Sequence, residues 1–341
     1  RVEENLGEGY VRLRVSEAER RQAKHDIQHV EDIVIEMLRN ARDAGADKVY
    51  LATTKEDGVR TLVFLDNGSG VPQDMQERIF DARVTSKLES LKMDRWGVHG
   101  RGMALFSIKQ NTDEACVVAS DVDLGSVFKV SVATDRLGER ADQSSWPQAV
   151  KDEDGHYVCA RGPHNIIRAA CEFALEELRA CDVYLGSPSE IAATLHAQAS
   201  SRLDASRLLF IDDEAELPVV DRLGLASDAE DFIRICSGLG LEMSERTAHR
   251  ILAGQIKPVR GVTARLLRER DSSSHASAPV DLAKDRRGLR IAKDDMAQFS
   301  RAVERDFNDL ASRYYLNLCG DPKIRVSRDR ITVTFDLAKE E

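Results

Sequence analysis

The sequence predicts an α/β (α+β) first half followed by a mostly helical second half. Three observations carry that prediction. Apolar residues recur at helical spacing between Glu17 and Ala44, two apolar runs joined by Asp-Gly follow at once, and helical signals dominate from about Ile166 to Arg270. With 341 residues the chain is long enough for two domains rather than one.

In the stretch from Glu17 to Ala44, residues Ile27, Val30, Ile33, Val34, Met37, Leu38 and Ala41 fall on one helical face, which predicts a single long helix. Lys48 to Thr54 is rich in strand-forming residues, Lys55 to Gly58 supplies an Asp-Gly turn, and Val59 to Leu65 reads as the returning strand of a hairpin. Further strands are expected at Ala115 to Ser120 and at Ser126 to Thr134. The polar stretch from Asp135 to Gly155 reads as a linker, which places a domain boundary near residue 140 and divides the chain into 1–140 and 141–341. Asp271 to Pro279 (DSSSHASAP) reads as a flexible connection, followed by a long helix near Lys293 to Tyr315. The terminal KIRVSRDRITVTFDL has two alternating runs about Ser327 to Asp329 and predicts a β-hairpin.

Composition narrows the function. The chain is 42% hydrophobic and 32% charged, as in globular proteins with a sizeable core. A net charge of -10 argues against a general nucleic-acid coat, although a local basic face is compatible with it. No apolar run approaches the roughly 20 residues that span a bilayer, and the charged start RVEENLGEGY does not read as a signal peptide. The six cysteines never form CxxC and read as reduced apolar fillers of a cytoplasmic protein rather than a metal site.

Three short motifs carry chemistry. In EMLRNARDAGA, Glu36, Asn40 and Asp43 are four and three residues apart, so one helix face presents all three. Asn40 can take an inner-sphere place on a magnesium ion that also holds phosphate oxygens and waters. Glu36 can orient and deprotonate an attacking water. In DNGSGVP, directly after the second hairpin strand, Asp66 can accept a hydrogen bond from the exocyclic amine of adenine, and Gly68 and Gly70 let backbone approach the base. In GVHGRGMALFSI, Gly97, Gly100 and Gly102 read as a flexible loop leading into an apolar helix whose N-terminal amides suit phosphate. It is neither a Walker loop, since no GK[ST] follows, nor a dinucleotide fingerprint.

In this order the motifs resemble the GHKL ATPases, the Bergerat-fold family of gyrase B, the large heat-shock chaperone, histidine kinases and MutL. The resemblance covers roughly Glu17 to Thr134. The N box matches Glu36, Asn40, Asp43 and Ala44, and the adenine motif matches Asp66, Gly68 and Gly70. The lid motif matches Gly97, Gly100 and Gly102, with His99 and Arg101 between them. DLGSVFKVSV resembles the last strand motif, where Ser126 takes the place of the hydroxyl that helps hold the adenine-binding Asp. NARDAGADKVYL and DNGSGVP are closest to MutL, and Thr85, Ser86 and Lys87 match its TSK lid segment, with Lys87 a candidate phosphate contact. MutL has an acidic residue inside its glycine motif, where this chain has Arg101 and Gly102. The resemblance implies a two-layer sandwich, a mixed and mainly antiparallel sheet covered by helices on one face. It also implies ATP and Mg2+ as cofactors, slow hydrolysis, and a lid whose closure drives dimerisation or domain rearrangement.

The second half does not resemble the transducer domain of MutL or gyrase B. Within it, FIRICSGLGLEMSERTAHRILAGQIKP resembles a Cro-type helix-turn-helix (about 228–270), with Ser244 as N-cap of the second helix. Arg246, Arg250, Lys257, Arg260, Arg265, Arg268 and Arg270 follow, opposed only by Glu269, and make a candidate DNA-contacting face. A helical hairpin with a solvated basic face is the reading the pattern favours, because helix-turn-helix patterns in single sequences are weak. His25 and His29 lie in the same predicted helix as Glu36 and read as structural residues rather than phosphoacceptors. The favoured function is a slowly hydrolysing ATP-dependent switch acting in DNA handling. The alternative is a chaperone-like or signalling ATPase whose helical half binds protein.

Overall fold

The computed structural model describes residues 2–86, 92–99, 102–178, 180–203, 211, 213–267, 296, 299–300, 302–304, 307, 316–319, 322–326 and 331–339. The chain divides into two compact units, 1–273 and 274–341, so the boundary expected near residue 140 lies inside the first unit.

The first unit opens with β1 (Val2–Gly7) and β2 (Tyr10–Leu13), then α1 (Glu17–Asp26) and α2 (Val30–Asp43). The single long helix expected from Glu17 to Ala44 is thus broken at 27–29. The reason is local: the Asp32 carboxylate accepts the backbone N–H groups of Gln28 and His29, each at 2.8 Å, and so caps a new helix. Buried Ile27 stays in the core through the break.

Next come β3 (Lys48–Glu56) and β4 (Val59–Asp66). Asp57 and Gly58 between them have φ of 48° and 79°, the left-handed pair that a two-residue turn needs to match strand twist. The short β5 (Val84–Thr85) pairs with β2, and β6 (Lys92–Asp94) pairs with β7 (Gly97–His99) in a separate hairpin. After α3 (Ala104–Asn111) run β8 (Glu114–Ser120) and β9 (Ser126–Ala133), within a residue of the predicted strands.

The stretch read as a linker contains β10 (Gln148–Lys151), which pairs with β11 (Tyr157–Arg161). It is also pinned to the core, because Glu139 accepts the Arg60 guanidinium at 2.7 and 3.0 Å. Then follow α4 (Ile166–Glu176), β12 (Asp182–Gly186), α5 (Pro188–Arg202), α6 (Ala229–Gly238) and α7 (Glu245–Leu252). The region expected to be helical therefore contributes a strand.

That strand completes the central sheet, whose five strands run β12-β3-β4-β9-β8. β12 lies parallel to β3, and the other pairs are antiparallel. The sheet is mixed, mainly antiparallel and packed with helices, as the α+β class requires. One correction concerns its second face. Leu51, Leu62, Phe64 and Val130 pack with α2 and α4 on one side. Their neighbours Tyr50, Ala52, Val63, Leu65 and Val127 pack with α5, α6 and α7 on the other. Helices thus cover both faces, because strand side chains alternate and here both sets are apolar. Cys159, Cys171, Cys181 and Cys236 are buried within these two clusters.

In the second unit, β13 (Leu316–Leu318) pairs with β16 (Leu337–Lys339), and β14 (Lys323–Val326) pairs with β15 (Ile331–Thr334), the hairpin expected at the C-terminal end. The Asp271 to Pro279 segment lies outside the described residues. So does most of the helix expected near Lys293 to Tyr315, although 296, 299–300, 302–304 and 307 are helical. Among the described residues no helix is long and apolar enough to cross a membrane.

Candidate nucleotide site

A cavity of about 460 Å³ lies between α2, α3 and the sheet, at the end where β4 finishes and β9 begins. α2 turns Glu36, Asn40 and Asp43 toward it, while its opposite side buries Val34 and Leu38. The cavity also takes Ala44, Asp66, Gly70, Gly102 and Ser126, together with Thr85 and Ser86 of the TSK segment, so ten of the candidate residues share one wall system. Phe64, Ile79 and Phe128 supply apolar sides.

The loop after β4 is stitched to the end of α2. Asn67 Oδ1 accepts the N–H groups of Asp47 and Lys48 at 3.1 and 2.9 Å, and the Ser69 N–H donates to the Ala44 carbonyl at 2.9 Å. This fixes Asp66, which is 4% exposed. Burial pushes its carboxyl up to about 7, and the Gly68 N–H, 2.8 Å from Oδ1, opposes that rise. Gly68 does not itself line the cavity. A side chain at Gly70 would put Cβ 1.8 Å from the Asp121 carbonyl oxygen, and one at Gly125 would put it 2.1 Å from that of Asp66. These glycines therefore keep clear a space that the chain's own backbone fills.

Ser126 sits directly across from Asp66 in the β4–β9 register. Its Oγ lies 3.1 Å from the Ser120 hydroxyl, which also donates to the Gly125 carbonyl at 2.8 Å and accepts the Val71 N–H at 2.8 Å. This serine pair ties the Asp66 strand end to the loop carrying Gly70.

The glycine segment departs from the expected flexible loop. Gly97 begins β7 and does not line the cavity; its carbonyl accepts Arg39 Nη2 at 3.0 Å. His99 ends the same strand, in register with Lys92. Gly102, with φ of 67°, stands on the cavity wall just before α3. Lys87, Gly100 and Arg101 lie outside the described residues.

Several site residues had not been singled out. Arg39 is 3% exposed and donates to Glu36 Oε1 at 2.7 Å, to Asp94 Oδ2 and Oδ1 at 2.9 and 3.0 Å, and to Gly97. Arg42 joins the same group through Asp94, Asp43 and Glu177. The Glu36–Arg39 spacing of three residues was a readable signal, since such pairs meet on a helix. Tyr10 reaches the wall from β2, where burial raises its phenol and Ser86 is its hydrogen-bond partner. Nothing in the local sequence marks it.

Among the described residues, two buried polar atoms on the wall have no hydrogen-bond partner, Asn40 Nδ2 and Ser107 Oγ. A carboxamide and a hydroxyl left in this state suit a polar ligand. Among the described residues no group of three or more His, Cys, Asp or Glu is placed to hold a metal ion. The polar wall offers Asn40 as a side-chain oxygen for a cation that phosphate and water oxygens would mainly hold.

Residues 27–123 match the family described as histidine kinase-, DNA gyrase B-, and HSP90-like ATPases. The matched segment, which runs from just before α2 past β8, has an α+β fold consistent with a GHKL-type ATPase domain, and this supports ATP binding. No curated protein matches the chain.

Proposed function

We propose that the cavity binds ATP with Mg2+ and hydrolyses it slowly, and that the protein uses this cycle as a conformational switch in DNA handling. The observation that carries the reading is the convergence of Glu36, Asn40, Asp66 and Gly102 on one cavity within the ATPase-matched segment. In this reading the Asp66 carboxyl accepts the adenine amine, and Phe64, Ile79 and Phe128 exclude water from the base. Asn40 faces the phosphates, with the first amides of α3 nearby for their charge. Magnesium, when bound, neutralises phosphate charge as the leaving group departs. Glu36 takes the proton of the attacking water. Lys87, His99, Gly100 and Arg101 are proposed further phosphate contacts on the strength of the family resemblance, with homodimerisation on ATP binding as one consequence of closure.

The DNA part rests on α7 and the chain after it. Ser244 caps α7, accepting the Thr247 N–H at 3.3 Å, and Ala248 and Ile251 face the core. Arg246, Arg250, Lys257 and Arg260 are exposed and make no ion pair among the described residues, although the chain as a whole is acidic. Arg265 instead stacks over Trp146, 4.0 Å from its centroid. Unneutralised cations at this density suit a phosphate backbone.

The test has two arms. Phosphate release by the wild type, reduced about 100-fold or more in Glu36→Ala with ATP binding kept, supports the ATPase part; equal release by both contradicts it. Salt-dependent DNA binding whose log–log slope falls by about 2 in Arg250→Ala plus Arg260→Ala supports the second part. No DNA binding at low salt would turn the basic face toward a protein partner, as in a chaperone-like or signalling ATPase.

A further inference from the structure

We infer that Arg39 is a positioning residue that ties the β6–β7 hairpin to the Glu36 carboxylate, so that docking of this hairpin sets the rate of hydrolysis while leaving nucleotide affinity nearly unchanged. This rests on the assignment of Glu36 as the group that takes the water proton.

The geometry is that of a two-sided clamp. One edge of the Arg39 guanidinium, Nε and Nη2, faces both oxygens of Asp94 at 2.9 and 3.0 Å. This paired contact fixes the plane of the guanidinium as well as its place. The remaining nitrogen, Nη1, reaches Glu36 Oε1 at 2.7 Å. Nη2 also holds the Gly97 carbonyl at 3.0 Å, so the hairpin offers it both a side chain and a backbone acceptor. Arg39 and Asp94 are 3% and 6% exposed at the side chain, so water does not compete for either.

Asp94 is in turn over-determined. Arg42 Nη1 lies 3.2 Å from its Oδ2, and its Oδ1 also accepts the Trp96 N–H at 3.0 Å, which closes the two-residue turn. Trp96 stacks on Phe173 of α4, with centroids 6.3 Å apart, and also lines the cavity. Arg95 adds a contact to Glu172 at 3.6 Å. The hairpin is thus held on α2 and α4 at once, and the only guanidinium bonded to both it and Glu36 among the described residues is that of Arg39.

A lysine at 39 keeps the charge but has no planar fork, so it cannot serve Asp94 and Glu36 with the same geometry. Loss of the Asp94 charge frees the far edge of the guanidinium and with it the fixed direction of Nη1. Either change leaves Asp66, Asn40 and the apolar wall in place. The expected signature is a fall in kcat with an unchanged dissociation constant for ATP.

The experiment measures Mg-ATP hydrolysis and, by calorimetry, binding of a non-hydrolysable ATP analogue to the full chain and to Arg39→Lys, Asp94→Asn, Glu36→Gln and the double variant Arg39→Lys with Glu36→Gln. The single Arg39 and Asp94 variants are expected to lose about tenfold or more in kcat, with analogue affinity within about threefold. In the Glu36→Gln background, Arg39→Lys is expected to cost nothing further, because both act through one carboxylate. Full kcat in Arg39→Lys and Asp94→Asn, or equal loss with and without Glu36, overturns the clamp and leaves the ATPase assignment standing. Failure of the wild type to bind the analogue overturns both.

Discussion

The two faces of the central sheet are both buried, yet they are built for different ends. The face toward α5, α6 and α7 is closed with apolar side chains, among them Ile191, Leu195, Phe232 and Ile235, each at most 1% exposed. The face toward α2 and α4 begins the same way but opens at the strand ends into a cavity holding Glu36, Asn40 and Asp66. Such a contrast is economical in sequence: one helix, α2, buries Val34 and Leu38 on one side and presents carboxylates on the other. Stability and chemistry can therefore be perturbed separately, one on each face.

The largest separation is expected from Glu36→Ala. Turnover should fall about 100-fold or more, with the thermal midpoint held near that of the wild type; a large drop in midpoint would place Glu36 in the structural half of the contrast. On the opposite face, Phe232→Ala should cost about 3–5 kcal/mol in denaturant unfolding. The ATP affinity of its folded fraction should be unaltered. A specific loss of affinity would mean that the faces are coupled.

Asp66→Asn sharpens the comparison through pH. The buried Asp66 carboxyl is raised from 3.8 to about 7, so its contribution to stability is fully present below 3.8 and is lost as pH rises to about 7. Asparagine does not ionise. The variant should gain stability relative to wild type progressively across that window while losing ATP binding. Parallel stability curves from pH 4 to pH 8 would contradict the burial of this charge. The smallest effect is expected at the break between α1 and α2. Asp32→Ala removes the acceptor of two backbone N–H groups and should cost about 1 kcal/mol with no change in turnover.

Local signals in the sequence were legible where the chemistry was local. Asp57-Gly58 announced the β3–β4 hairpin, and Glu36, Asn40 and Asp43 announced a polar stripe on α2 because four- and three-residue steps share a helix face. Sites assembled across the chain were harder. β12 is a short DVYLG run inside a helical region, and its partner is β3, so the pairing of Asp182 with Lys48 leaves no local trace. The second buried face is readable in principle: VYLA within KVYLATT and LVFL within VRTLVFL are unbroken apolar runs, the pattern of strands covered on both sides. Gly97 suggests a loop because glycine brings conformational freedom, whereas Asp94 closes a tight turn there by accepting the Trp96 N–H. Arg39 carries no local mark of its partner, because Asp94 lies 55 residues away and only the fold brings it beside the guanidinium.

The most direct test is a calorimetric titration of Mg-ATP into the wild-type chain and into Asp66→Asn, both verified as folded by their thermal transitions. Saturable one-site binding by the wild type, lost in Asp66→Asn, is the predicted result. Equal heats of association in the two proteins, or no binding by folded wild type, would contradict the placement of the adenine nucleotide in this cavity.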